Sequence, residues 1–481
     1  MSITVEVRNK ENLVKARNII VLGAGTAGWL TALFVRKLFP HFNIKIIGNK
    51  KIGVVGVGEA TTPPFVAFLK EIDIDPLTLI REIGGSIKQG ISFENWNGDG
   101  KKYFHGFNEK FLSQTSVPPT FTHNCIDYYY RHLLHNKLDF NEYSYVAKIS
   151  YQNKIDFDEI EYAIHFNTNK VSAYLSKIGK QRNIKYIEGD YKKMKLKYDF
   201  IFDCSGLSRL IISKKSKWKS FSKFLPMKQA IPFHLKIKEN KPYTSAVAMK
   251  YGWMWQIPLQ DRIGAGYVFD SDYIDAAEAQ KEAEEFLGHT INVRKVISFD
   301  AGRHEQYWVD NCMAIGLSSC FIEPLESTSI HLTVLQLQLL KQFVNDLFNG
   351  TNDMFNEVMR NTMDEISYFI YLHYNTKRKD SDFWKNVKKN YPCPPAFKPV
   401  LKAIKNNNLK YFDIQSTNRI MSGFPVTSYL QIANGLKLFN KKINIEGYEN
   451  LKPSVQDIKS WMDRRYSAIV KDGAKGAMNV R

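Results

Sequence analysis

A glycine-rich loop near the N-terminus has the spacing needed to hold a pair of phosphate groups. Its pattern GxGxxG directly follows the apolar run 18–22 and precedes a segment with helical spacing. Glycine permits the tight turn, brings backbone N–H groups near a pyrophosphate and lets the helix pack closely on the strand. The phosphates then lie at a helix N-terminus, which favours anions; a plain glycine turn is the alternative. The residues predicted to bind a dinucleotide here are Gly23, Gly25, Thr26, Ala27 and Gly28.

The position that usually contacts the ribose of such a cofactor lacks an acid. An acidic residue near the end of the second strand normally receives the ribose hydroxyls, and here that place falls on Gly48 or Asn49. Asn49 can still hydrogen-bond a ribose, so we predict it as a cofactor contact, with weakened retention of the adenosine part. Asp203 ends a later apolar run, just before Cys204, and is a second place where the chain could approach the cofactor.

The spacing of apolar residues predicts the elements that position this loop. Residues 18–22, 29–39 and 43–47 have strand, helix and strand patterns, which together form a β-α-β unit. Further pieces of the same pattern, a helix and two strands, lie at 169–178, 184–188 and 198–203. The module that contains the loop is therefore expected to be discontinuous, with other structure inserted between its parts.

Later segments change pattern, which indicates a second module. Residues 230–269 are rich in Thr, Val, Tyr and Ile and predict strands, whereas long apolar-periodic stretches after Ser329 predict helices. At 481 residues the chain is also too long for one hydrophobic core. We predict an α/β fold, with a discontinuous Rossmann-like module and an inserted β-sheet in residues 1–345 and a mainly helical module in residues 346–481.

Composition excludes several other classes of protein. Apolar residues make up 44% of the chain, which is too many for a disordered protein. No apolar run approaches the roughly 18 residues that span a bilayer, so we expect no membrane partner and a soluble, cytoplasmic protein. The five cysteines are scattered without paired spacing, so we expect neither a disulfide framework nor a metal site.

The charge balance is strongly basic. The chain has 67 Lys and Arg against 48 Asp and Glu, a net charge of +19, which could favour an anionic partner. Between residues 376 and 412, ten basic residues stand against two acids. Because no nucleic-acid-binding motif accompanies this stretch, we interpret it as a solvated surface and expect no nucleic-acid partner.

Five motifs occur in order along the chain. They are GVGEATTP at 56–63, DCSG at 203–206, GWMWQIP at 252–258, GAGYVF at 264–269 and GLSSCFIEPLEST at 316–328. In this combination they resemble the flavin-dependent halogenases of the tryptophan halogenase family. The resemblance implies FAD as the cofactor, with Glu59 and Ala60 of the first motif among its contacts. Because no nicotinamide site is visible, a separate flavin reductase is expected to deliver the reduced FAD.

The resemblance also implies the chemistry and two catalytic residues. Reduced FAD, O2 and a halide would give hypohalous acid, which Lys88 would hold or convert to a haloamine before an aromatic ring is halogenated. The neighbours of Lys88 are largely apolar, and a buried lysine has a lowered pKa and an available nitrogen. Glu326 would stabilise the cationic ring intermediate or remove its proton. The alternatives are a surface lysine on a helix and an acid at a helix start.

Two further sites follow from the same resemblance. The GWMWQIP segment would form a wall between FAD and substrate, although tryptophans two apart share one strand face and core packing alone would explain them. Halide would lie at Thr328 and Ser329, where the family usually has Thr-Gly, so the choice among chloride, bromide and iodide stays open. The implied substrate and tunnel residues are His105, Phe107, Trp253, Trp255, Ile257, Pro258 and Ser327.

The substrate expected from the sequence is a small, electron-rich aromatic molecule. Residues 103–107 resemble the stretch that supplies a histidine and a phenylalanine to sandwich an indole ring, and aromatic faces would hold a flat ring by stacking. The C-terminal stretch 422–436 lacks the Phe-Trp pair that grips the amino-acid backbone in tryptophan-specific members. We therefore expect a more open pocket for indoles or phenols and not free tryptophan alone.

Two rival functions remain open at this point. An FAD-dependent aromatic monooxygenase would share the glycine loop but would need neither the distant lysine nor the tryptophan wall. A non-catalytic basic flavoprotein would draw on the charge of +19 and the missing ribose acid. A halide-dependent product distinguishes the halogenase from both, and the sequence leaves open whether the chain forms a homo-oligomer.

Overall fold

The computed structural model describes residues 16–51, 59–108, 133, 138, 140–237, 239–406, 409, 423–439 and 452–471. Its β-strands, numbered in chain order, are β1 Asn18–Leu22, β2 Asn43–Gly48, β3 Glu59–Ala60, β4 Ser86–Lys88, β5 Gly90–Glu94, β6 Lys102–Gly106, β7 Ala163–Phe166, β8 Lys185–Glu188, β9 Phe200–Asp203, β10 Trp218–Ser220, β11 Gln229–Leu235, β12 Thr244–Ala248, β13 Gly252–Pro258, β14 Ile263–Phe269, β15 Ile297–Ser298, β16 Gly302–His304, β17 Trp308–Val309, β18 Cys312–Ala314 and β19 Cys320–Phe321. Its α-helices are α1 Thr26–Leu38, α2 Pro63–Glu71, α3 Pro76–Ile83, α4 Phe140–Tyr143, α5 Tyr145–Tyr151, α6 Thr168–Gln181, α7 Ala276–Leu287, α8 Thr328–Gln342, α9 Asp353–His373, α10 Asp382–Asn390, α11 Lys398–Lys405, α12 Val426–Gly435 and α13 Lys452–Lys471.

The dinucleotide module is a six-stranded sheet with the order β17-β18-β9-β1-β2-β8. Strand β1 lies between β2 and β9 and runs parallel to both. Helix α1 follows β1 and packs against α6, where a Cβ at Gly179 would lie 2.4 Å from the ring of Trp29. The sheet collects strands from three separate stretches of the chain, so the predicted α/β fold with a discontinuous Rossmann-like module is confirmed.

The inserted sheet has seven strands in the order β15-β11-β14-β13-β12-β5-β6. The prediction for residues 230–269 is correct for β11 to β14, but it omitted β5 and β6, which complete one edge. These two strands are short, and β5 pairs in parallel with β12, about 150 residues further along the chain, so no local pattern signals the partnership. On β13, the side chains of Trp253, Trp255 and Ile257 enter the main core, whereas Met254 faces a second core beside α7.

A small sheet with the order β3-β7-β4 contains Lys88 at the end of β4. Helix α3 ends at Ile83, and the next residue, Gly84, has a left-handed backbone (φ 62°) that turns the chain toward β4. Lys88 pairs there with Ala163 of β7. The alternative that Lys88 lies on the surface of a helix is therefore wrong, because the residue ends a buried strand.

The elements described after β19 are helical, as expected for the C-terminal part of the chain. Helices α8 and α9 pack on each other, and α12 packs on β6 and α9. The division near residue 345 stays a prediction. Among the described residues, no helix is long and apolar enough to cross a membrane.

Candidate active site

Lys88 is the fully buried cation of the candidate site. Its Nζ donates to the carbonyl oxygen of Thr61 at 2.9 Å and to the hydroxyl of Ser327 at 2.7 Å. The ring centroid of Phe107 lies 5.2 Å from the same nitrogen. Burial lowers the pKa of Lys88 to about 7, and the charge of Glu326 only partly opposes this effect. The amine is thus held in one place and can lose its proton near neutral pH.

Thr61 ties the amine of Lys88 to the GVGEATTP element. The amide and hydroxyl of Thr61 both donate to the carbonyl oxygen of Ile164 on β7, at 3.1 and 2.9 Å. The amide of Ile164 donates back to that hydroxyl at 2.9 Å. These bonds fix the carbonyl that receives Lys88. Residues 52–58 and the side chain of Glu59 lie outside the described residues, and Ala60 is buried in β3.

Glu326 and Ser327 form a strained turn immediately before α8. Both have left-handed backbones, with φ of 63° and 59°, which non-glycine residues rarely adopt. The turn directs Glu326 into the protein, where it is only 3% exposed. Ser327 precedes α8 but does not cap it, because its hydroxyl accepts from Lys88 instead. Strain in this turn therefore places a carboxylate and the partner of the amine side by side.

Two histidines hold the carboxylate of Glu326. Nδ1 of His105 lies 2.9 Å from each carboxylate oxygen, and Nε2 of His373 lies 3.1 Å from Oε1. Burial alone raises the pKa of Glu326, but the charge and hydrogen bond of His105, followed by those of His373, outweigh it and lower the pKa to about 2. Glu326 is therefore ionised throughout the neutral range.

His105 is fixed by partners on both ring nitrogens. Its Nε2 lies 2.9 Å from the hydroxyl of Ser428 on α12, opposite the contact with Glu326. The rings of Phe369 and Phe424 lie nearby and stack on each other with centroids 4.1 Å apart. The sandwiching role expected for His105 and Phe107 stays a prediction. The structure adds a hydrogen bond between His105 and Glu326.

The tryptophan segment contacts a second buried acid, Glu323. The indole N–H of Trp253 donates to Glu323 at 3.4 Å, and the hydroxyl of Tyr374 lies 2.8 and 2.7 Å from its two oxygens. At the other end of β13, the carbonyl of Pro258 accepts from Ser86, two residues before Lys88. The segment thus reaches from the Glu323 turn to the lysine strand. Its role as a wall stays a prediction.

The N-terminal loop fits a dinucleotide. A Cβ at Gly23 would lie 2.1 Å from the carbonyl oxygen of Cys204, and one at Gly28 would lie 1.8 Å from that of Gly23. Beside Gly25, at the start of α1, a Cβ would meet nothing within 4 Å, so space remains where a pyrophosphate would approach. The hydroxyl of Thr26 is buried without a hydrogen-bond partner among the described residues. Open space, an uncapped helix start and an unpaired hydroxyl together suit bound phosphate.

An acid on the adjacent strand lies beside the position where the ribose-binding acid is missing. Asn49 accepts from the amide of Lys51 at 3.0 Å, so its side-chain oxygen is already engaged. Glu188 ends β8 beside Gly48, accepts from the amide of Lys50 at 2.9 Å and also bonds the hydroxyl of Tyr186. The sequence did not predict Glu188 at this position, because the residue is far from Gly48 in the chain and only the parallel pairing of β2 with β8 brings the two together.

Asp203 stabilises the turn that follows β9. Its carboxylate accepts from the amides of Ile211 at 2.8 Å, Ile212 at 2.9 Å and Ser205 at 3.1 Å. These bonds fold the chain after β9 into the turn that packs on Gly23. Asp203 therefore shapes the edge of the predicted cofactor site through its own turn.

Thr328 and Ser329 begin α8, where halide is predicted. The hydroxyl of Thr328 donates to the carbonyl oxygen of Glu323 at 3.4 Å, and the helix has no side-chain cap. Helix N-termini attract anions through their N–H groups. His331, one turn into α8, lies 2.9 Å from the hydroxyl of Thr62; burial lowers its pKa to about 4, so it is neutral at pH 7.

Two members of the site carry no signal in the sequence. His373 contacts Glu326 across 47 residues, and Ser428 contacts His105 across 323 residues. Ser428 lies inside the stretch 422–436 that the sequence singled out, whereas His373 ends α9, an amphipathic helix that no motif covers. A histidine at the end of an otherwise apolar helix face is the one feature that could have drawn attention to it.

Comparison with known proteins places the chain among halogenases. Residues 18–446 match the model of the tryptophan halogenase family. Tryptophan 6-halogenase SttH from Streptomyces toxytricini is 29% identical over 469 residues, covering 87% of this chain and 88% of that protein. Tryptophan 7-halogenase RebH from Lentzea aerocolonigenes is 30% identical over 420 residues, covering 77% and 78%. The solved tryptophan halogenase from Shewanella frigidimarina shares the fold, with a TM-score of 0.85, 21% identity and 97% of each chain covered.

Proposed function

Because this chain belongs to the tryptophan halogenase family of flavin-dependent halogenases, we propose that it uses reduced FAD, O2 and a halide to halogenate an electron-rich aromatic ring. The single observation that carries the proposal is the buried amine of Lys88 next to the ionised Glu326. Ser327 directly follows Glu326 in the sequence and accepts from Lys88 at 2.7 Å. A nucleophile and a base, both removed from water, are the groups that electrophilic substitution of an arene requires.

Lys88 would present the halogen. Bound reduced FAD, with O2 and a halide, supplies hypohalous acid, and the glycine loop with Thr26 would hold this cofactor. Above pH 7 the neutral amine of Lys88 either hydrogen-bonds hypohalous acid or takes its halogen, giving a haloamine and water. The bonds to Thr61 and Ser327 keep the nitrogen in place during transfer. Exclusion of water at this buried position limits hydrolysis of the active halogen.

Glu326 would complete the substitution. When the ring bonds to the halogen it becomes cationic, and a nearby carboxylate lowers the energy of that cation. Loss of the ring proton then restores aromaticity, and Glu326 is the buried carboxylate placed to receive it. Its low pKa favours stabilisation of the cation, since a weak base acts mainly through its charge.

The substrate class follows from what surrounds these two groups. The relatives named above act on tryptophan, but stretch 422–436 of this chain lacks the Phe-Trp pair that would grip an amino-acid backbone. Phe107 beside Lys88 offers an aromatic face for a flat ring. We therefore expect indoles and phenols as substrates, and a halide bound near Thr328 and Ser329.

The test combines the protein with FAD, a flavin reductase, O2 and each of chloride, bromide and iodide. An arene panel that includes free tryptophan is analysed by mass spectrometry. Wild type is expected to give halide-dependent products, and Lys88→Ala to lose about 100-fold or more of the rate. Lys281→Ala, at an exposed lysine of α7, is the matched control and keeps full activity.

Each alternative predicts a different result. An oxygenated product formed equally well without halide would indicate a monooxygenase and reject the halogenase. No product with any halide or arene, despite bound FAD, would support the non-catalytic flavoprotein. A large preference for free tryptophan over every other arene would leave the reaction intact and reject the open-pocket substrate class.

A further inference from the structure

Helix α9 ends in a buried histidine that the proposed chemistry has not yet used. His373 is 0% exposed, and its Nδ1 lies 3.0 Å from the carbonyl oxygen of Phe369, four residues earlier in the helix. A carbonyl oxygen only accepts hydrogen bonds, so Nδ1 must carry a hydrogen. The other nitrogen, Nε2, lies 3.1 Å from Oε1 of Glu326. One ring thus contacts two acceptors.

The contact between His373 and Glu326 requires a hydrogen that a neutral histidine cannot supply. A neutral histidine carries one N–H, and here Nδ1 already holds it. A bare Nε2 would then direct its lone pair at a carboxylate oxygen at 3.1 Å, which is repulsive. The contact is attractive only when one additional proton lies between His373 and Glu326.

The other partner of the carboxylate indicates where this proton resides. Nδ1 of His105 lies at 2.9 Å from both oxygens of Glu326, the arrangement of an N–H donating to an ionised carboxylate. Nε2 of His105 lies 2.9 Å from the hydroxyl of Ser428, which can donate or accept and so satisfies that nitrogen whether His105 is neutral or charged. Glu326 is then the ionised member, and the proton belongs to His373.

We propose that His373 is a cationic positioning residue, which keeps Glu326 ionised inside the protein and thereby able to stabilise and deprotonate the ring during turnover. The role rests on the proposed halogenation, because it acts through Glu326. An isolated carboxylate at this depth would take up a proton, since burial penalises the charged form. The imidazolium removes that penalty without contacting the substrate.

The groups that face this pair are few. Lys88 approaches from β4, and Tyr103 and His105 approach from β6. The ring of His373 otherwise lies against Phe93 and Trp96, with centroids 5.1 and 6.0 Å away. Because Lys88 is neutral above pH 7, His373 supplies the positive charge next to Glu326 over the range in which the amine reacts.

Two variants separate charge from hydrogen bonding. His373→Gln places an amide N–H near the position of Nε2 but cannot carry a charge, and His373→Asn keeps the donor to Phe369 and loses the contact with Glu326. Both are expected to lower kcat about 10-fold or more with little change in arene KM. In both, Glu326 binds a proton more readily, so its protonation adds to that of Lys88 and kcat falls more steeply below pH 7 than in wild type. A wild-type rate and profile in His373→Gln would overturn the proposal.

A second measurement needs no turnover. Histidine-selective 15N NMR of the protein without flavin, oxygen or halide reports the protonation of each ring nitrogen, and either variant assigns the His373 signals. Both nitrogens of His373 are expected to carry hydrogen at pH 7. An unprotonated Nε2 would overturn the proposal. If halogenation itself is not observed, this spectrum still decides the charge of His373, so the two failures are distinguishable.

Discussion

Two buried glutamates, three residues apart, have opposite environments. In the Glu326 cluster (Glu326, His105 and His373) two imidazoles lower the pKa of the acid to about 2. In the Glu323 cluster (Glu323, Tyr374 and Trp253) burial raises the pKa to about 7, and the hydroxyl and indole donors only moderate that rise. Depth is therefore not what sets the charge of a buried acid here. The charge of its partners decides, so one turn holds an ionised carboxylate, the one used in the proposed chemistry, and an acid that keeps its proton up to about pH 7.

The largest expected effect comes from removing the charge in the Glu326 cluster. Glu326→Gln keeps the shape but leaves no carboxylate to stabilise the cationic ring, so the halogenation rate should fall about 1,000-fold with little change in arene KM. Glu323→Gln is the matched control, at a neighbouring acid that the proposed chemistry does not use. Single-turnover rates measured by mass spectrometry make the comparison, and equal losses in both variants would contradict it.

Breaking the Glu326 cluster should also destabilise the fold. His105→Phe removes one imidazole and leaves Ser428 without its partner, so the free energy of unfolding should decrease by about 3 kcal/mol. His105→Asn retains a donor toward Glu326 and should lose less. Urea unfolding of both variants gives the two values. A loss below about 0.5 kcal/mol for His105→Phe would mean that the pairing with Glu326 is energetically unimportant.

The Glu323 cluster should respond to pH in the opposite way. The folded protein keeps a proton on Glu323 up to about pH 7, whereas the unfolded chain releases it near the ordinary value of 4.5. The associated stability is present below pH 4.5 and is lost as the pH rises through 7. Glu323→Gln cannot titrate, so between pH 5 and 8 its free energy of unfolding should fall less than that of wild type, by roughly 2–3 kcal/mol. Parallel curves for the two proteins would contradict the raised pKa.

The smallest expected effect is that of Glu323→Gln on the pH profile of the reaction, which shows whether Lys88 sets that profile. The wild-type rate should fall about tenfold per pH unit below 7, as Lys88 gains a proton and its nitrogen becomes unavailable. Glu323 titrates in the same range, so Glu323→Gln must leave this acid limb in place. If the acid limb moves in Glu323→Gln, the titrating group is Glu323 and not Lys88. The pH profile would then no longer support a neutral amine at Lys88.

The two clusters also show how far the sequence alone reaches. The glycine loop and the β-α-β unit are local patterns, so they predicted β1, α1 and β2 to within a few residues; α1 begins at Thr26, earlier than expected, because its first residues are not apolar-periodic. Glu326 was predicted from a motif, and Lys88 from the family resemblance. His373, Ser428 and Glu188 did not, because each reaches its partner through tertiary packing or strand pairing and not through spacing.

Motif resemblance also cannot show what a residue bonds to. The substrate role that it assigned to His105 stays a prediction, and it did not indicate that Glu326 lies on one ring nitrogen and Ser428 on the other. The left-handed backbones of Glu326 and Ser327 could not be predicted either, because the residues around them are compatible with an ordinary helix start. The geometry, the charges and the number of protons are set only when the sheets pack with helices α8, α9 and α12.

The central claim is that Lys88 transfers halogen from hypohalous acid to an aromatic ring. Bromide tests it most directly, because two bromine isotopes give a recognisable doublet in the mass spectrum of the product. With reduced FAD, O2 and bromide, wild type and Lys281→Ala should yield the doublet on an indole or phenol, and Lys88→Ala should yield essentially none. Equal bromination by Lys88→Ala, or an oxygenated product without bromine from wild type, would contradict the claim.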